Sequence, residues 1–271
     1  MPELPEVETI KIELSPWIVE QSFTGVTIFD DRMVAEGSAD EICHGLIGQT
    51  IETLGRRGKY LIVHLSNGRS LIIHLRMTGA LLLNPKGVER YTRAVFHFSS
   101  GHRLAFRDQR RLGLMWLVDD ADTVVGKLGP DPLNECFTAE ILGQRLARHH
   151  IPVKAALLDQ GLVAGIGNMY ADEALFAARI HPLRKTDSLS REEVRTLHNC
   201  LHRILQAGIS SKGASVDTYV RPEGRPGTAH CDFKVAHRGG EPCSICGGTI
   251  ERVPVRNRGS YFCPTCQPLS I

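Results

Sequence analysis

The sequence predicts a multidomain chain of the α+β class, with an antiparallel β-sandwich and flanking helices in its N-terminal half. Helices and a metal-bound hairpin are predicted to follow. Three observations support this prediction: short β-like runs fill residues 25–118, helical periodicity begins after Pro132, and four cysteines form two close pairs near the C-terminus. The length of 271 residues corresponds to roughly two ordinary domains.

Composition excludes several classes of protein. A hydrophobic content of 42% is enough to build apolar cores, so a mainly disordered chain is excluded. No apolar run approaches the roughly 20 residues of a membrane span. The first residues are acidic and broken by proline, unlike a secretory signal, so we predict a cytoplasmic protein with no membrane partner. Residues 145–271 carry 17 basic against 11 acidic side chains, which places the positive charge in the C-terminal half.

The first element is predicted to be a helix. Residues 3–20 begin with an acidic turn, and Val7, Ile10, Leu14 and Trp17 follow at helical spacing. These four apolar side chains are therefore predicted to share one face of an amphipathic helix.

Residues 25–118 are predicted to form the sandwich. Asn67-Gly68 and Ser100-Gly101 separate neighbouring runs, as the turns of β-hairpins do. The clearest strand candidates are Tyr60 to Leu65, Ser70 to Leu75, Ala94 to Phe98, Arg103 to Phe106 and Leu114 to Val118.

The middle of the chain is predicted to be helical. Residues 138–149 form one predicted helix, and residues 155–178 form two short helices separated by glycine-rich turns. A capping box from Ser190 to Glu193 opens a further helix. That helix is predicted to bury Val194, Leu197, Leu201, Ile204 and Leu205. Residues 213–240, rich in glycine, are predicted to be an exposed, mobile loop.

The cysteines predict one structural zinc ion. Cys243-Ser-Ile-Cys246 and Cys263-Pro-Thr-Cys266 lie 16 residues apart, and two CxxC turns supply four thiolates with no vacant coordination position. A redox pair is the alternative. Arginines between the pairs are predicted to face a partner from a zinc-bound hairpin, or else to be ordinary solvated side chains. Of the single cysteines, Cys43, Cys136 and Cys200 are predicted to face cores, and Cys231 to lie in the loop.

The N-terminus allows two interpretations. Removal of Met1 would expose the secondary amine of Pro2. An α-amine has a pKa of about 8, so a fraction of the molecules carries an unprotonated, nucleophilic amine at neutral pH. Glu3 could then act as an acid or base, and Glu6, one helical turn later, could orient the same centre. Alternatively, these residues only open a helix, because proline and acidic side chains suit a first turn.

Five motifs together resemble those of bacterial formamidopyrimidine-DNA glycosylases. The resemblance runs from residue 2 to about residue 267. Leu4 favours this group, which acts on oxidised purines, over the related endonuclease VIII group, which typically has glycine there and acts on oxidised pyrimidines. The motifs are Pro2-Glu-Leu-Pro-Glu-Val-Glu-Thr9, Arg57-Gly-Lys59-Tyr-Leu61, His74-Leu-Arg-Met77-Thr-Gly79, Gly165-Ile-Gly-Asn168-Met-Tyr170 and the four-cysteine finger.

The resemblance implies a bifunctional glycosylase and abasic-site lyase acting on damaged double-stranded DNA. Pro2 would be the nucleophile, Glu3 the proton donor and base, and Glu6 an assisting group. Lys59 would contact phosphate and assist β-elimination, and Arg258 of the finger would hold phosphate and assist δ-elimination.

Further site residues follow from the same resemblance. Met77, Arg110 and Leu112 would fill the gap left by the extruded nucleotide, with leucine standing where the family usually has an aromatic wedge. Lys154 and Asn168 would bind phosphate. Tyr91 lies where the family often has a DNA-contacting histidine, and its role is therefore open. Glu173 would support a hinge, and residues 212–219 would fold over the lesion.

The implied architecture has three parts. They are a β-sandwich domain at 2–130, a helix-two-turn-helix domain at 131–222 and a zinc finger at 237–271, in a chain expected to be a monomer. Two other functions stay open at this point. One is a glycosylase for oxidised pyrimidines, and the other is a zinc-finger protein that binds damaged DNA without cutting it.

Overall fold

The computed structural model describes residues 1–87 and 90–269. It divides into two compact units: Met1–Lys127 with Ile209–His230, and Leu128–Gly208 with Cys231–Ile271. We call them the sandwich unit and the finger unit, and we call Ile209–His230 the return segment. The predicted domain limits stay a prediction, and the last two residues of the predicted finger lie outside the described residues.

Helix α1 spans Leu4–Ile18, which confirms the predicted N-terminal helix. Its inner face buries Val7, Ile10, Leu14 and Ile18. The prediction that Trp17 shares this face is wrong, because its side chain is 44% exposed. Its ring contacts the ring of His102, with centroids 5.1 Å apart. Ile18, four residues after Leu14, continues the buried stripe instead.

Two antiparallel four-stranded sheets form the sandwich, as predicted. One sheet has the order β1-β6-β7-β5 and the other β2-β3-β4-β8. Helices α2 (Ala39–Leu46) and α3 (Asp122–Val125) flank them. The strands are β1 (Phe23–Ile28), β2 (Ile51–Arg57), β3 (Tyr60–Leu65), β4 (Ser70–His74), β5 (Gly79–Leu83), β6 (Thr92–Phe98), β7 (Arg103–Asp108) and β8 (Leu114–Val118).

The core of this unit contains α1, both sheets and one residue of the return segment. Phe23, Phe96 and Phe106 pack at its centre, and Tyr219 joins them with 4% of its surface exposed. The prediction of an exposed loop over 213–240 is therefore wrong for part of that range. Val235 is also buried. The few apolar residues of this glycine-rich stretch anchor it to the cores. The average composition of the stretch does not reveal these individual buried residues.

The finger unit contains four α-helices, the last of which ends in the return segment: α4 (Ala139–Leu146), α5 (Val153–Leu157), α6 (Asn168–Ala177) and α7 (Arg191–Ser210). The predicted capping box of α7 is confirmed, since Glu193 N–H donates to Ser190 Oγ at 3.1 Å and Ser190 N–H to Glu193 Oε2 at 2.7 Å. Of the predicted apolar face, Ile204 is only partly buried.

The C-terminal hairpin consists of β9 (Glu251–Val255) and β10 (Arg258–Phe262). Its small core combines Phe176, Val235 and Ile250 with Cys243 and Cys263. Of the single cysteines, Cys200 is buried but Cys136 is exposed, so the prediction that Cys136 faces a core is wrong. No described helix has the length and apolarity that crossing a bilayer requires.

Candidate active site and nucleic-acid interface

The N-terminal end of α1 brings two carboxylates to the residue predicted as nucleophile. Glu3 is the N-cap of α1 and Glu6 lies in its first turn. Both are buried, with exposed fractions of 2% and 0%, and Glu6 Oε2 accepts the Glu3 N–H at 2.7 Å. With Met1 present, the Pro2 nitrogen belongs to a peptide bond and is not nucleophilic, so amine chemistry requires removal of Met1.

The second carboxylate oxygen of Glu6 binds the return segment. Glu6 Oε1 accepts the Ala214 N–H at 2.8 Å. The preceding residue is Gly213, at φ +81°, where a Cβ would lie 2.8 Å from the Tyr219 ring and 2.9 Å from Glu6 Cγ. Only glycine fits this approach. One buried carboxylate thus joins the start of the chain to residues more than 200 positions later.

Lys59 lies in the two-residue turn of the β2–β3 hairpin, directly after Gly58. Its side chain is 7% exposed, and Gly58 in that turn has φ +56°. Arg56 stabilises the turn by donating to the Gly58 carbonyl at 3.0 Å and to Glu8 at 2.6 Å. Burial, and then the charges of Arg76 and Lys59, lower the pKa of the neighbouring His74 to about 3, which keeps His74 neutral at physiological pH.

Two of the three predicted gap-filling side chains are in contact. Arg110 Nη1 lies 3.0 Å from Met77 Sδ. Leu112 belongs to the same turn as Arg110, and the side chains of Met77 and Leu112 are 43% and 40% exposed. Large apolar side chains exposed at one site indicate a binding surface, because soluble proteins usually bury them.

A buried carboxylate organises this surface. Asp108, fully buried at the end of β7, accepts from the N–H groups of Arg110, Leu112 and Gly113 at 3.1, 2.8 and 2.7 Å. It also accepts from the hydroxyl of Thr78, next to Met77. Asp108 therefore links the two turns that carry the gap-filling candidates. Sequence reasoning did not identify it, although an acidic residue just before an arginine-rich turn was the available signal.

Tyr91 lies directly before β6, in the left-handed region, with φ +75°. The guanidinium groups of Arg90 and Arg93 stand 4.9 and 5.8 Å from its ring centroid. Arg93 also donates to the Asp108 carbonyl at 2.8 Å, and Asp108 N–H donates to the Tyr91 carbonyl at 2.9 Å. Tyr91 thus joins the network around Asp108, and its contact with DNA stays a prediction.

In the finger unit, Lys154 differs from the phosphate-binding lysine that the resemblance implied. Its side chain is fully buried, and Nζ lies 2.6 Å from Asp172 Oδ1 and 3.4 Å from the Gly259 carbonyl oxygen. Burial raises the pKa of Asp172 to about 7, although Lys154 opposes this shift. An ammonium group enclosed in this way cannot touch phosphate in the described conformation. Only an acidic residue in the α6 region pointed to this pair at the level of sequence.

Asn168 begins α6, as predicted, with Gly167 as N-cap. Its Nδ2 donates to the Gly259 carbonyl at 3.0 Å, and its Oδ1 has no hydrogen-bond partner within the described part of the chain. Asp172 Oδ2 accepts the Tyr261 N–H at 3.1 Å. Asn168, Lys154 and Asp172 therefore hold strand β10 beside Arg258, whose own side chain is exposed.

Glu173, which the resemblance implies supports a hinge, is buried, with 3% of its surface exposed. Its carboxylate accepts the N–H groups of Lys234, Val235 and Ala236 at distances between 2.8 and 3.0 Å. Burial raises its pKa while these hydrogen bonds oppose the shift. Glu173 thus fixes the stretch that leads into the hairpin, which is a structural role.

The four paired cysteines fit a zinc ion. All four sulfur atoms lie within 4.8 Å of one another, and the Cys243–Cys266 and Cys246–Cys263 pairs are 3.8 and 3.4 Å apart. A tetrahedron with Zn–S bonds of about 2.3 Å has edges of about 3.8 Å. Burial raises the pKa of the Cys263 and Cys266 thiols, so a bound cation is needed to keep all four as thiolates.

Comparisons with known proteins agree with this geometry. Three family models match: the formamidopyrimidine-DNA glycosylase N-terminal domain at residues 1–115, the H2TH domain of that glycosylase at 128–220, and the zinc finger found in FPG and IleRS at 240–269. The formamidopyrimidine-DNA glycosylase of Chloroflexus aurantiacus is 43% identical, over 98% of this chain and 98% of the relative.

Solved structures show the same similarity. The Lactococcus lactis FPG in complex with a Fapy-dG containing DNA is 34% identical with a TM-score of 0.90, covering 98% of this chain and 100% of that one. The same protein in complex with an abasic-site containing DNA is 35% identical with a TM-score of 0.91, covering 98% and 99%.

The sandwich, the helical domain and the four-cysteine finger define a DNA-repair glycosylase with one structural zinc site. The chain belongs to the formamidopyrimidine-DNA glycosylase family. Its enzyme activity is that of a DNA glycosylase combined with abasic-site lyase activity, and its macromolecular partner is DNA.

Proposed function

We propose that this protein excises oxidised purines, among them 8-oxoguanine and formamidopyrimidines, from duplex DNA and then cleaves the abasic site. The observation that supports it most is the pair of buried carboxylates at the N-terminus, with Glu6 Oε2 2.7 Å from the Glu3 nitrogen. Two shielded acids beside an amine provide both a nucleophile and its proton-transfer groups.

In this proposal, the Pro2 amine attacks C1′ of the damaged nucleotide once Met1 has been removed. The C1′–N bond to the base breaks, and the base leaves with a proton. Glu3 donates a proton to the sugar ring oxygen as the ring opens, and a Schiff base between Pro2 and C1′ remains. Glu6 fixes the Glu3 backbone while this proton moves.

Strand cleavage follows by elimination. Loss of a proton from C2′ expels the 3′ phosphate (β-elimination), and a second elimination expels the 5′ phosphate (δ-elimination). Hydrolysis then frees the enzyme, leaving a one-nucleotide gap with phosphates at both ends. Lys59 and Arg258 serve as cationic contacts for these phosphates, and the exposure of Arg258 on β10 permits that role.

Met77, Arg110 and Leu112 would occupy the space of the extruded nucleotide, and Tyr91 and Asn168 would contact the DNA backbone. For Lys154 we propose a positioning role through Asp172 and Gly259 instead of a phosphate contact. The protein is proposed to act as a monomer on the nucleoid of a bacterial cytoplasm.

The test combines trapping with peptide mapping. An 8-oxoguanine:C duplex incubated with the protein and borohydride should yield a covalent adduct, and mass spectrometry should locate it on an N-terminal peptide that begins at Pro2. The Pro2→Gly variant, which has a primary amine in place of the secondary amine of proline, and a protein that retains Met1 serve as controls. An adduct elsewhere, or full excision by the Met1-bearing protein, would overturn the proposal. Preferential release of thymine glycol would reassign the substrate class.

A further inference from the structure

One face of α1 carries two carboxylates, and each of them binds the return segment. Glu6 and Glu13 are seven residues apart, about two helical turns, a spacing that aligns side chains along one side of a helix. The same helix begins at the proposed nucleophile. The return segment therefore lies along α1, starting at its catalytic end.

The two contacts follow each other in the order of the chain. Glu6 accepts the Ala214 N–H at 2.8 Å. Glu13 binds Arg221 through both carboxylate oxygens: Nε lies 2.9 and 3.1 Å from Oε1 and Oε2, and Nη2 lies 2.6 Å from Oε1.

The Glu13–Arg221 pair differs from an ordinary surface ion pair. The two side chains are only 13% and 20% exposed, and the guanidinium fork meets the carboxylate at two points. Shielded, forked pairs are stronger than exposed ones, because less water competes and fewer rotamers are lost. Neither residue belongs to the apolar core cluster of the sandwich unit.

Between these anchors, the return segment borders the proposed site at two places. Ala214 is bound to Glu6, which holds Glu3, and Thr218 Oγ1 donates to the carbonyl of the gap-filling candidate Met77 at 3.3 Å. Ser215 Oγ donates to the Tyr219 carbonyl at 2.8 Å and accepts the Gly227 N–H at 2.9 Å, which folds residues 215–219 into a compact turn.

The exposed tip of this turn consists of Val216 and Asp217. Residues 215–218 contain no lysine, arginine or histidine, so the tip has no cation to assist phosphate elimination. It offers main-chain groups, an apolar side chain and a carboxylate. These groups suit contact with a base, whereas the sugar chemistry is assigned to Pro2, Glu3 and Lys59.

We infer that Glu13 and Arg221 are positioning residues, whose ion pair holds the return segment so that its exposed tip faces the base of the damaged nucleotide. The pair therefore supports excision of the base but not cleavage of an abasic site. An abasic nucleotide has no base for the tip to contact. This inference rests on the proposed function, and the ion pair that it adds lies about three helical turns from Glu3.

The experiment compares two substrates under single-turnover conditions with enzyme in excess. Glu13→Gln and Arg221→Gln should each lower the excision rate constant on an 8-oxoguanine:C duplex about tenfold, the equivalent of about 1.4 kcal/mol. Their cleavage of a duplex with a preformed abasic site should stay within about twofold of wild type. The loss should appear in the rate constant at saturating enzyme, with the Kd for DNA changed little.

Two further variants isolate the ion pair. The charge-swapped double variant Glu13→Arg with Arg221→Glu should recover most of the lost excision rate. Arg225→Gln is the matched control, because this arginine lies in the same segment but pairs with Glu223 only loosely, at 3.8 Å and with 74% exposure. It should excise 8-oxoguanine at the wild-type rate.

The outcomes separate this inference from the proposed function. Equal losses on both substrates, or no loss on either, would overturn the positioning role while wild-type activity stands. A wild-type protein that processes neither substrate would overturn the proposed function and this inference with it. Selective loss of excision, recovered by the charge swap and absent in Arg225→Gln, is the supporting result.

Discussion

The sandwich unit and the finger unit hold their functional residues by different means. In the sandwich unit, two four-stranded sheets and α1 enclose a continuous apolar core, and the site residues stand on turns at its edge. In the finger unit, the hairpin has two strands, and its core cluster includes two of the cysteines themselves. A core that small cannot stabilise a hairpin, so metal ligation and buried charges must do so.

The two units also use buried carboxylates differently. Glu6 and Asp108 accept backbone N–H groups and thereby orient neighbouring turns that carry candidate site residues. In the finger unit, Asp172 is paired with the buried Lys154, and Glu173 fixes the entry to the hairpin. The sandwich unit places its site on a large apolar core, whereas the hairpin of the finger unit needs charge and metal to maintain its shape.

Zinc removal should give the largest effect and should separate the two units. Structural zinc contributes on the order of 10 kcal/mol to folding in isolated fingers, so chelation or Cys263→Ser should unfold the hairpin and abolish DNA binding. The sandwich unit should stay folded. Fluorescence anisotropy with a labelled duplex, zinc content and thermal unfolding measure these effects.

The matched control for zinc loss is Cys231→Ser, an exposed cysteine of the same unit outside the metal cluster. It should keep zinc, stability and DNA binding. DNA binding that survives verified loss of zinc would show that the hairpin does not need the metal to maintain its shape.

Breaking the buried ion pair should give an intermediate effect, confined to the finger unit. Lys154→Met leaves Asp172 buried without its partner, and removal of one member of such a pair costs about 3–5 kcal/mol. The double variant Lys154→Met with Asp172→Leu should recover much of the free energy of unfolding, as measured with urea. Equal stability of the single variant and the wild type would contradict this role.

Arg256→Gln provides the comparison for that experiment. Its ion pair with Asp159 spans 3.5 Å, and both side chains are about half exposed, at 48% and 40%. Exposed pairs contribute less than about 1 kcal/mol, so this variant should unfold at nearly the wild-type urea concentration.

Acidification should give the smallest effect, in the sandwich unit. The folded pKa of His74 is lowered to about 3, whereas an unfolded histidine titrates near 6.5. The unfolded state therefore binds a proton first, and the stability that neutral His74 contributes is present above pH 6.5 and lost as the pH falls towards 3. At pH 5 the loss should be about 2 kcal/mol.

NMR titration of the His74 ring should show it neutral at pH 5. In the His74→Gln variant, whose side chain can still accept the Arg76 N–H, this part of the pH dependence of unfolding should disappear. A ring that titrates with a midpoint near 6.5 would mean that burial does not control its charge, and the predicted acid sensitivity would be wrong.

Local patterns were sufficient to predict much of the chain. The runs at β3, β4, β6, β7 and β8 alternate or are bounded by turn dipeptides, and the α7 capping box depends only on residues three positions apart. By contrast, β1, β2 and β5 were not singled out, since their apolar residues become recognisable only beside their partner strands. The prediction for Trp17 failed because neighbouring residues of a helix point in different directions, and Ile18, not Trp17, faces the core.

Site residues divide in the same way. The cysteine spacing and the N-terminal motif predicted the metal cluster and the carboxylate pair, because the two members of each CxxC pair, like Glu3 and Glu6, lie three residues apart. The roles of Asp108 and Asp172 were missed, and Lys154 was expected to be accessible. Their partners lie far along the chain, from Thr78, 30 residues before Asp108, to Gly259, 105 residues after Lys154.

The sequence alone determined most of the secondary-structure pattern, the zinc ligands and the chemistry available at the N-terminus, since each follows from neighbours along the chain. The tertiary structure decided which buried carboxylate holds which turn, why Lys154 is enclosed, and how Arg221 reaches Glu13. The physical reason is that burial and long-range ion pairing depend on which surfaces face each other after folding, and no local spacing specifies that.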